Sequence, residues 1–200
     1  MSATTAQSIA SRLNALLRCG DSKMLLSAMQ SDWLNAVIPG LRELSGCDQG
    51  ATKHLEGDVA EHTALVVQET LSVAKARLDR EPTSVELLGA LLHDLSKPQT
   101  RRVNGDGTVS FPEHERIAAE RLSTIAPMLD LSPQEKAELT FVIAEHGRAH
   151  SWPMLAASER QHLKGSPWIV TLAILQEADA KSCLLPGGHH LPVFWQELVD

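Results

Sequence analysis

A His-Asp dipeptide near the middle of the chain is the strongest indication of chemistry in this sequence. His93 and Asp94 stand at the end of an apolar helical stretch, where each side chain is costly to bury without a partner. A metal ion can bind a neutral imidazole and a carboxylate together, and so satisfies both. Taken alone, the pair also fits an ordinary helix end, because His favours the C-terminal end of the helix dipole and Asp can cap a turn.

Further residues of types that bind metal ions lie along the chain on both sides of this pair: His62, His114, His146 and Asp179. Ligands spread over successive helices are expected for a metal site inside a helical bundle. An acidic side chain inside an apolar helix, as at Asp179, is hard to explain structurally without a strong partner. The sequence therefore predicts a primary metal site with these ligands: His62, His93, Asp94 and Asp179.

His114 and His146 decide between one metal ion and two. In one interpretation they complete a second site that shares Asp94 with the first, and two adjacent ions brace the entering and leaving oxygens of a phosphoryl centre. In the alternative interpretation both are solvent-facing histidines at helix ends, where lone histidines are common. His150 could replace His146 as a ligand, but Gly147 is predicted to end the helix before it.

The ordered set of His62, His93-Asp94 and Asp179 resembles the H…HD…D signature of the HD-domain metal-dependent phosphohydrolases. The sequence is more closely similar to the HD region that follows the nucleotidyltransferase part of bacterial CCA-adding enzymes. The similar segments are 54–63, 91–98 and 111–115, and the resemblance covers residues 35–185. One departure is Ser96, where that family usually has Gly. The change leaves the ligands intact but affects the turn that aims Lys97.

The resemblance implies further roles around the metal. The lysine equivalent to Lys97 faces the substrate phosphate in that family, so Asp94 and Lys97 are the predicted catalytic residues; the alternative is a lysine paired with a helix C-terminus. His54 and Asp58 match the segment before the first ligand and are predicted substrate contacts, unless they form only a helix entry with Asp58 as N-cap. Arg148 is a further candidate on the phosphate side, although exposed arginines are usually just solvated.

A frame of helices must position these residues, and the apolar periodicity predicts one. Capping residues and helix breakers predict helices at about 5–18, 22–37, 58–80, Thr83 to Leu95, Ser132 to His146, and Ser166 to Asp179. Two further helices are predicted to begin at Pro112 and at Ser158. Asn-Gly and Asp-Gly predict one small β-hairpin near residues 102–111. The predicted fold class is all-α, an HD-domain helical bundle with that hairpin.

The length of 200 residues suits one substantial core and is short for two ordinary domains. We expect a single HD domain over residues 1–200. Within it, residues 1–40 would form N-terminal helices covering the bundle, residues 41–185 the HD core, and residues 186–200 a tail.

Composition and charge restrict the class of partner. The formal net charge of −7 argues against an extended nucleic-acid surface, which needs many cations, but not against a small phosphorylated substrate. The sequence has neither a membrane-length apolar run nor the pattern of a signal peptide. Its three widely spaced cysteines are typical of reduced thiols, so a cytoplasmic location is expected.

These inferences predict an enzyme, an HD-domain phosphohydrolase that cleaves a phosphomonoester or phosphodiester with a metal-activated hydroxide. The resemblance implies a nucleotide-like substrate, such as a 2′,3′-cyclic phosphate or a 2′-nucleotide. The cofactor would be one or two divalent transition-metal ions, Mn, Ni, Co, Fe or Zn, with Mg also compatible. The alternatives are an HD-type di-iron oxygenase, which the six-ligand set also resembles, and a non-catalytic module that binds a nucleotide or a partner.

Overall fold

The computed structural model describes residues 3–50 and 54–199 and is built almost wholly from helices. The helices are α1 (Ala3–Arg18), α2 (Ser22–Met29), α3 (Asp32–Val37), α4 (Val59–Leu78), α5 (Ser84–Leu92), α6 (Lys97–Thr100), α7 (His114–Ile125), α8 (Pro133–His150), α9 (Ala157–Lys164), α10 (Ile169–Ser182) and α11 (Trp195–Val199). Short 3-10 helices occupy Arg42–Leu44, Ala126–Met128 and Trp152–Met154. Two strands, β1 (Arg102–Val103) and β2 (Val109–Ser110), pair antiparallel. The predicted all-α fold with one small hairpin is confirmed.

Capping boxes fix the start of three helices that bear site residues. At the start of α4, Asp58 accepts a hydrogen bond from the Glu61 N–H, and the Glu61 carboxylate accepts one from the Asp58 N–H. Equivalent pairs, Thr83 with Glu86 and Ser132 with Glu135, begin α5 and α8. Each box satisfies two N–H groups that a helix start otherwise leaves unpaired, so these starts follow from the sequence.

Helix α10 is the central element of the bundle, and α4, α5 and α8 pack around it. Apart from Lys181, its side chains from Thr171 to Ser182 are all buried, as expected for a helix that is enclosed on every side. This burial includes Asp179, which therefore needs a partner inside the protein. Helices α1 and α2 pack against α4, and α7 packs against α8.

Two predicted helix boundaries were wrong. The helix expected over 22–37 is broken at Gln30–Ser31, because the Ser31 hydroxyl bonds back to the Ala28 carbonyl and the chain restarts as α3. The helix expected to end at His146–Gly147 instead continues to His150. Among the described residues, no helix combines the length and apolar character needed to cross a membrane.

Candidate metal centre

The six predicted metal ligands, which come from distant parts of the chain, converge at one place in the bundle. His62 lies in the first turn of α4, His93 and Asp94 directly follow α5, His114 begins α7, His146 lies near the end of α8, and Asp179 lies in α10. All but His114 are almost fully buried, with 0–7% of the residue exposed. The capped starts of α4 and α8 and the enclosed α10 thus set where these side chains meet.

The ligands form two groups of three. The inner triad consists of His62, His93 and Asp179, and the outer triad consists of Asp94, His114 and His146. Within each triad the three donor atoms lie within 4.8 Å of one another. In the inner triad, Nε2 of His62 is 3.1 Å from a carboxylate oxygen of Asp179.

Asp94 links the two triads. Its Oδ2 is 3.1 Å from Nε2 of His93 and 3.9 Å from Nε2 of His62. Its Oδ1 is 3.3 Å from Nε2 of His114 and 3.8 Å from Nε2 of His146. One carboxylate therefore faces both groups of imidazoles, which is the arrangement that a bridging ligand between two ions requires.

The donor atoms that face each other lack ordinary hydrogen-bond partners. Across residues 3–50 and 54–199, Nε2 of His62, Nε2 of His93 and both carboxylate oxygens of Asp94 are buried without a hydrogen bond. Such burial is costly for polar atoms, and especially for a charged carboxylate. Imidazole nitrogens and carboxylate oxygens suit divalent transition metals, so these residues fit one or two such ions.

The second ring nitrogen of each histidine is held by an oxygen that can only accept a hydrogen bond. The acceptors, at 2.7–2.9 Å from Nδ1, are Glu56 Oε1 for His62 and the backbone carbonyls of Ala90, Phe111 and Ile143 for His93, His114 and His146. Each Nδ1 must therefore carry a proton. This leaves Nε2 of all four rings to bind metal, in orientations fixed by the backbone and by Glu56.

Nearby groups keep the buried carboxyl groups ionised. Burial by itself would raise the pKa of Asp94, but His93 and Lys97 beside it hold that pKa well below its usual value. Burial would likewise raise the pKa of Asp179, and the contact with His150 outweighs it, so this pKa is also well below the usual value. The cluster thus offers two carboxylates, the form that coordinates a cation.

The histidines differ in their protonation. Burial, together with the neighbouring His93, lowers the pKa of His146 well below its usual value and leaves the neutral imidazole that metals bind. Burial also acts against a charge on His62, but the carboxylates of Asp179 and Glu56 beside its ring raise its pKa to about 9. A metal ion that binds at Nε2 of His62 must therefore displace a proton.

Comparison with known families agrees with this geometry. The family model of the HD domain matches residues 59–182, which include all six ligands. The chain belongs to the HD-domain family. HD domains bind divalent metals and are in general metal-dependent phosphohydrolases. No curated protein matches the chain.

Lys97 lies against the carboxylate of Asp94 in this HD domain. Its Nζ is 2.8 Å from Oδ2 of Asp94 and donates a hydrogen bond to Oε1 of Gln49 at 2.7 Å. Ser96 stands before it where the resembling family usually has Gly. Its φ of −104° is open to any residue, so Ser96 keeps the turn that brings Lys97 to Asp94.

Of the other three predicted substrate contacts, one lies beside the inner triad and two are engaged elsewhere. His54 lies beside the inner triad, with Nδ1 2.7 Å from Oε1 of Glu56. Asp58 caps α4 and also accepts a hydrogen bond from the Gly46 N–H at 2.6 Å, so its carboxylate is used by the backbone. Arg148 is not brought to the cluster, because its guanidinium pairs with Glu145 and with a second carboxylate in α9.

His150 reaches the HD site because α8 does not end where the sequence predicted. Its Nε2 is 2.8 Å from Oδ2 of Asp179. Gly147 costs a helix only about 1 kcal/mol relative to Ala, which the packing of α8 against α10 can offset. The space beside Gly147 is occupied by the end of the Glu115 side chain, which reaches across from α7.

Cys183 is a site residue that the sequence analysis missed. Its Sγ is 3.6 Å from Oδ1 of Asp179 and 3.8 Å from Nδ1 of His54. Burial and the nearby Asp179 raise the pKa of this thiol, so it stays protonated and is a poor nucleophile. The available signal was its spacing of four residues from Asp179, which places the thiol, directly after α10, on the same side of the helix as Asp179.

Two connected cavities open onto the HD site. The metal pocket, of about 260 Å³, is lined by Asp94, His114, His146, Gly147, His150, Asp179, Cys183 and Leu191, with His54 and Lys97 at its edge. The hairpin chamber, of about 470 Å³, is lined by Gln49, Thr108, Val109, Ser110 and Phe111 together with His54, Lys97 and His114. His54, Lys97 and His114 line both, so the two cavities adjoin at these residues.

Proposed function

We propose that this HD domain hydrolyses a phosphomonoester or phosphodiester of a nucleotide-like molecule. The observation that carries the proposal is the pair of triads joined by Asp94, which contain buried donor atoms without hydrogen bonds and adjoin a pocket that Lys97 also lines. The proposed metal ligands are the six residues of the two triads. The proposed catalytic residues are Asp94 and Lys97.

The chain's own residues divide the work of the reaction. A divalent ion, when bound, lowers the pKa of a coordinated water toward neutrality and stabilises charge on phosphoryl oxygens. Asp94 would be held in a bridging orientation by the imidazoles on either side of it. Lys97 carries three N–H donors, donates one hydrogen bond to Gln49, and holds its charge 2.8 Å from Oδ2 of Asp94. A remaining N–H donor would stabilise a nonbridging phosphate oxygen as negative charge develops there.

The nature of the organic group is supported by the resemblance to the HD region of CCA-adding enzymes, which covers the ligand segments and the hairpin. The net charge of −7 favours a small phosphorylated molecule over an extended nucleic acid. We therefore propose a 2′,3′-cyclic nucleotide or a 2′-nucleotide as the substrate class.

The test is hydrolysis by metal-stripped protein, with Mn, Ni, Co, Fe or Mg added back in turn. An aryl phosphodiester, 2′,3′-cyclic nucleotides and 2′-nucleotides would be the substrates. Asp94→Asn, which keeps the side-chain size, should lose activity, whereas the same change at the exposed Asp32 should have no effect. Metal binding without turnover of any substrate would contradict the proposal. Oxygen consumption by the iron-loaded protein would favour the di-iron oxygenase alternative.

A further inference from the structure

A group of four side chains with a cysteine among them lies beside the inner triad. This thiol cluster consists of His54, Glu56, His62 and Cys183, whose donor atoms all lie within 4.8 Å of one another. Nδ1 of His54 is 2.7 Å from Oε1 of Glu56 and 3.8 Å from Sγ of Cys183. Nδ1 of His62 is 2.9 Å from the same oxygen of Glu56. The thiol cluster therefore shares only His62 with the inner triad, and it meets the other nitrogen of that ring.

The sulfur of Cys183 has polar neighbours, although a buried free cysteine usually packs as a small apolar side chain. Its Sγ lies 3.6 Å from a carboxylate oxygen of Asp179, in addition to its contact with His54. Cys183 and His54 both line the metal pocket, so that pocket leads to the thiol cluster. An ion that binds between buried donor atoms replaces the protons that join them, so these atoms need no exposed surface of their own.

The donor set of the thiol cluster suits a thiophilic divalent ion. A thiolate favours Zn²⁺ or Cd²⁺ over Mn²⁺ or Mg²⁺, and imidazole and carboxylate are the other usual zinc ligands. Tetrahedral coordination at ordinary zinc bond lengths sets sulfur and nitrogen roughly 3.5 Å apart. The 3.8 Å between Cys183 and His54 is close to this value. The hydrogen-bonded pair of His54 and Glu56 is closer together and would separate by roughly 0.7 Å when an ion replaces the proton.

We infer that His54, Glu56 and Cys183 form a binding site for a thiophilic divalent ion such as Zn²⁺, separate from the two triads. A water molecule from the metal pocket would complete the coordination. His62 is not needed as a ligand, because Oε1 of Glu56 has two lone pairs and can bind the ion while still accepting the hydrogen bond from His62. The inference does not depend on hydrolysis by the HD site.

Binding of the ion displaces one proton and moves another. The thiol of Cys183 releases its proton to solvent as sulfur binds the ion, because a coordinated thiol is deprotonated. The proton on Nδ1 of His54 moves to Nε2, which frees Nδ1 and leaves the ring neutral. Burial lowers the pKa of His54 and so favours this neutral ring. Burial and the carboxylates of Asp179 and Glu56 raise the pKa of the free thiol, and the same two negative charges attract the cation.

The test uses the sulfur as its own reporter. The full chain would carry Cys19→Ser to remove the exposed cysteine, and after metal stripping would be held in excess Mn²⁺ and titrated with Cd²⁺. Ultraviolet thiolate-to-cadmium charge-transfer absorption reports sulfur coordination, and the triads contain no cysteine that could produce it. We expect an absorption band with the amplitude of one thiolate per chain, and no band in the variant that also carries Cys183→Ser.

A histidine pair tests whether the rest of the thiol cluster takes part. His54→Ala should weaken Cd²⁺ binding by at least roughly 10- to 100-fold, since even a group that only supports a ligand contributes that much. His189→Ala removes an exposed imidazole from the loop that follows Cys183 and should leave the affinity unchanged.

Three results would contradict the inference: no charge-transfer band at saturating Cd²⁺, a band that survives Cys183→Ser, or equal Cd²⁺ affinity in His54→Ala and the parent protein. Elemental analysis of bound Mn²⁺ shows whether a variant keeps its folded triads. If Cys183→Ser loses Mn²⁺, Cys183→Ala takes its place, because it is small and adds no polar group to the buried position.

Discussion

The inner and outer triads contain the same types of side chain but differ in how far they line the metal pocket. In the inner triad only Asp179 lines it, and the buried His62 and His93 do not. All three residues of the outer triad line that pocket. Under the proposed function, the inner triad would hold an ion and the outer triad would present one to a substrate.

The groups that hold Nδ1 of the histidines also differ between the two triads. Behind His62 stands Glu56, whose carboxylate accepts hydrogen bonds from Nδ1 of His62, from Nδ1 of His54 and from the Leu184 N–H. Burial by itself would raise the pKa of Glu56, but these hydrogen bonds lower it to about 2, so it is ionised and fixed. His114 has a backbone carbonyl and the partly exposed Glu115 behind it. A rigid support suits a permanent ligand, and a more open one suits a ligand that faces exchanging groups.

The largest effect is expected at Asp94, because its two carboxylate oxygens face the histidines of both triads. A metal ion contributes several kcal/mol to the transition state, and each 1.4 kcal/mol is a factor of ten in rate. Asp94→Asn should therefore reduce kcat/KM by at least about 10³-fold. Steady-state hydrolysis by metal-loaded protein measures this. A loss of less than tenfold would show that Asp94 does not bridge the ions.

A second prediction compares one ligand from each triad by metal content and thermal unfolding. At 100 times its Kd, a bound metal adds about 2.7 kcal/mol of stability, which for a chain of this size raises Tm by roughly 5–10 °C. His62→Ala should abolish most of that metal-dependent shift. His114→Ala should retain most of it while losing one of two ions.

Differential scanning calorimetry with and without a chelator gives the shift, and elemental analysis gives the number of ions per chain. The two variants must be compared at the same free metal concentration, since the shift depends on it. Equal loss of the thermal shift in both variants would contradict the assignment of a tighter inner site. A shift that survives in His62→Ala and vanishes in His114→Ala would reverse it.

The convergence of the six residues of both triads was predictable from the sequence, because their residue types and order carry the signal. The helix starts were predictable for a related reason, since the Asp58, Thr83 and Ser132 capping boxes are local. What could not be predicted depends on tertiary packing. The continuation of α8 through Gly147 is stabilised by the packing of α8 against α10, and no local pattern reports such packing.

The surroundings of the ligands were the less predictable part of the site for the same reason. Gln49 meets Lys97, and Glu56 meets Leu184, across separations of 48 and 128 residues. A glutamine in a glycine-rich loop has no pattern that distinguishes it from a solvated residue. Arg148 was predicted to bind phosphate, but its guanidinium is already paired with two carboxylates, and the sequence does not report this pairing.

The smallest expected effect is on metal affinity, and it comes from changing the carboxylates that hold one histidine of each triad. Glu56→Gln keeps the size of the side chain but removes the charge that holds Nδ1 of His62, and loss of such a support typically costs 10- to 100-fold in metal affinity. Glu115→Gln makes the same change behind His114, whose Nδ1 retains the Phe111 carbonyl at 2.7 Å, so its effect should be only a few-fold. Competition with a chromophoric chelator measures both affinities. If Glu115→Gln weakens binding as much as Glu56→Gln does, the inner triad owes no special rigidity to Glu56, and burial alone would have to explain the difference between the triads.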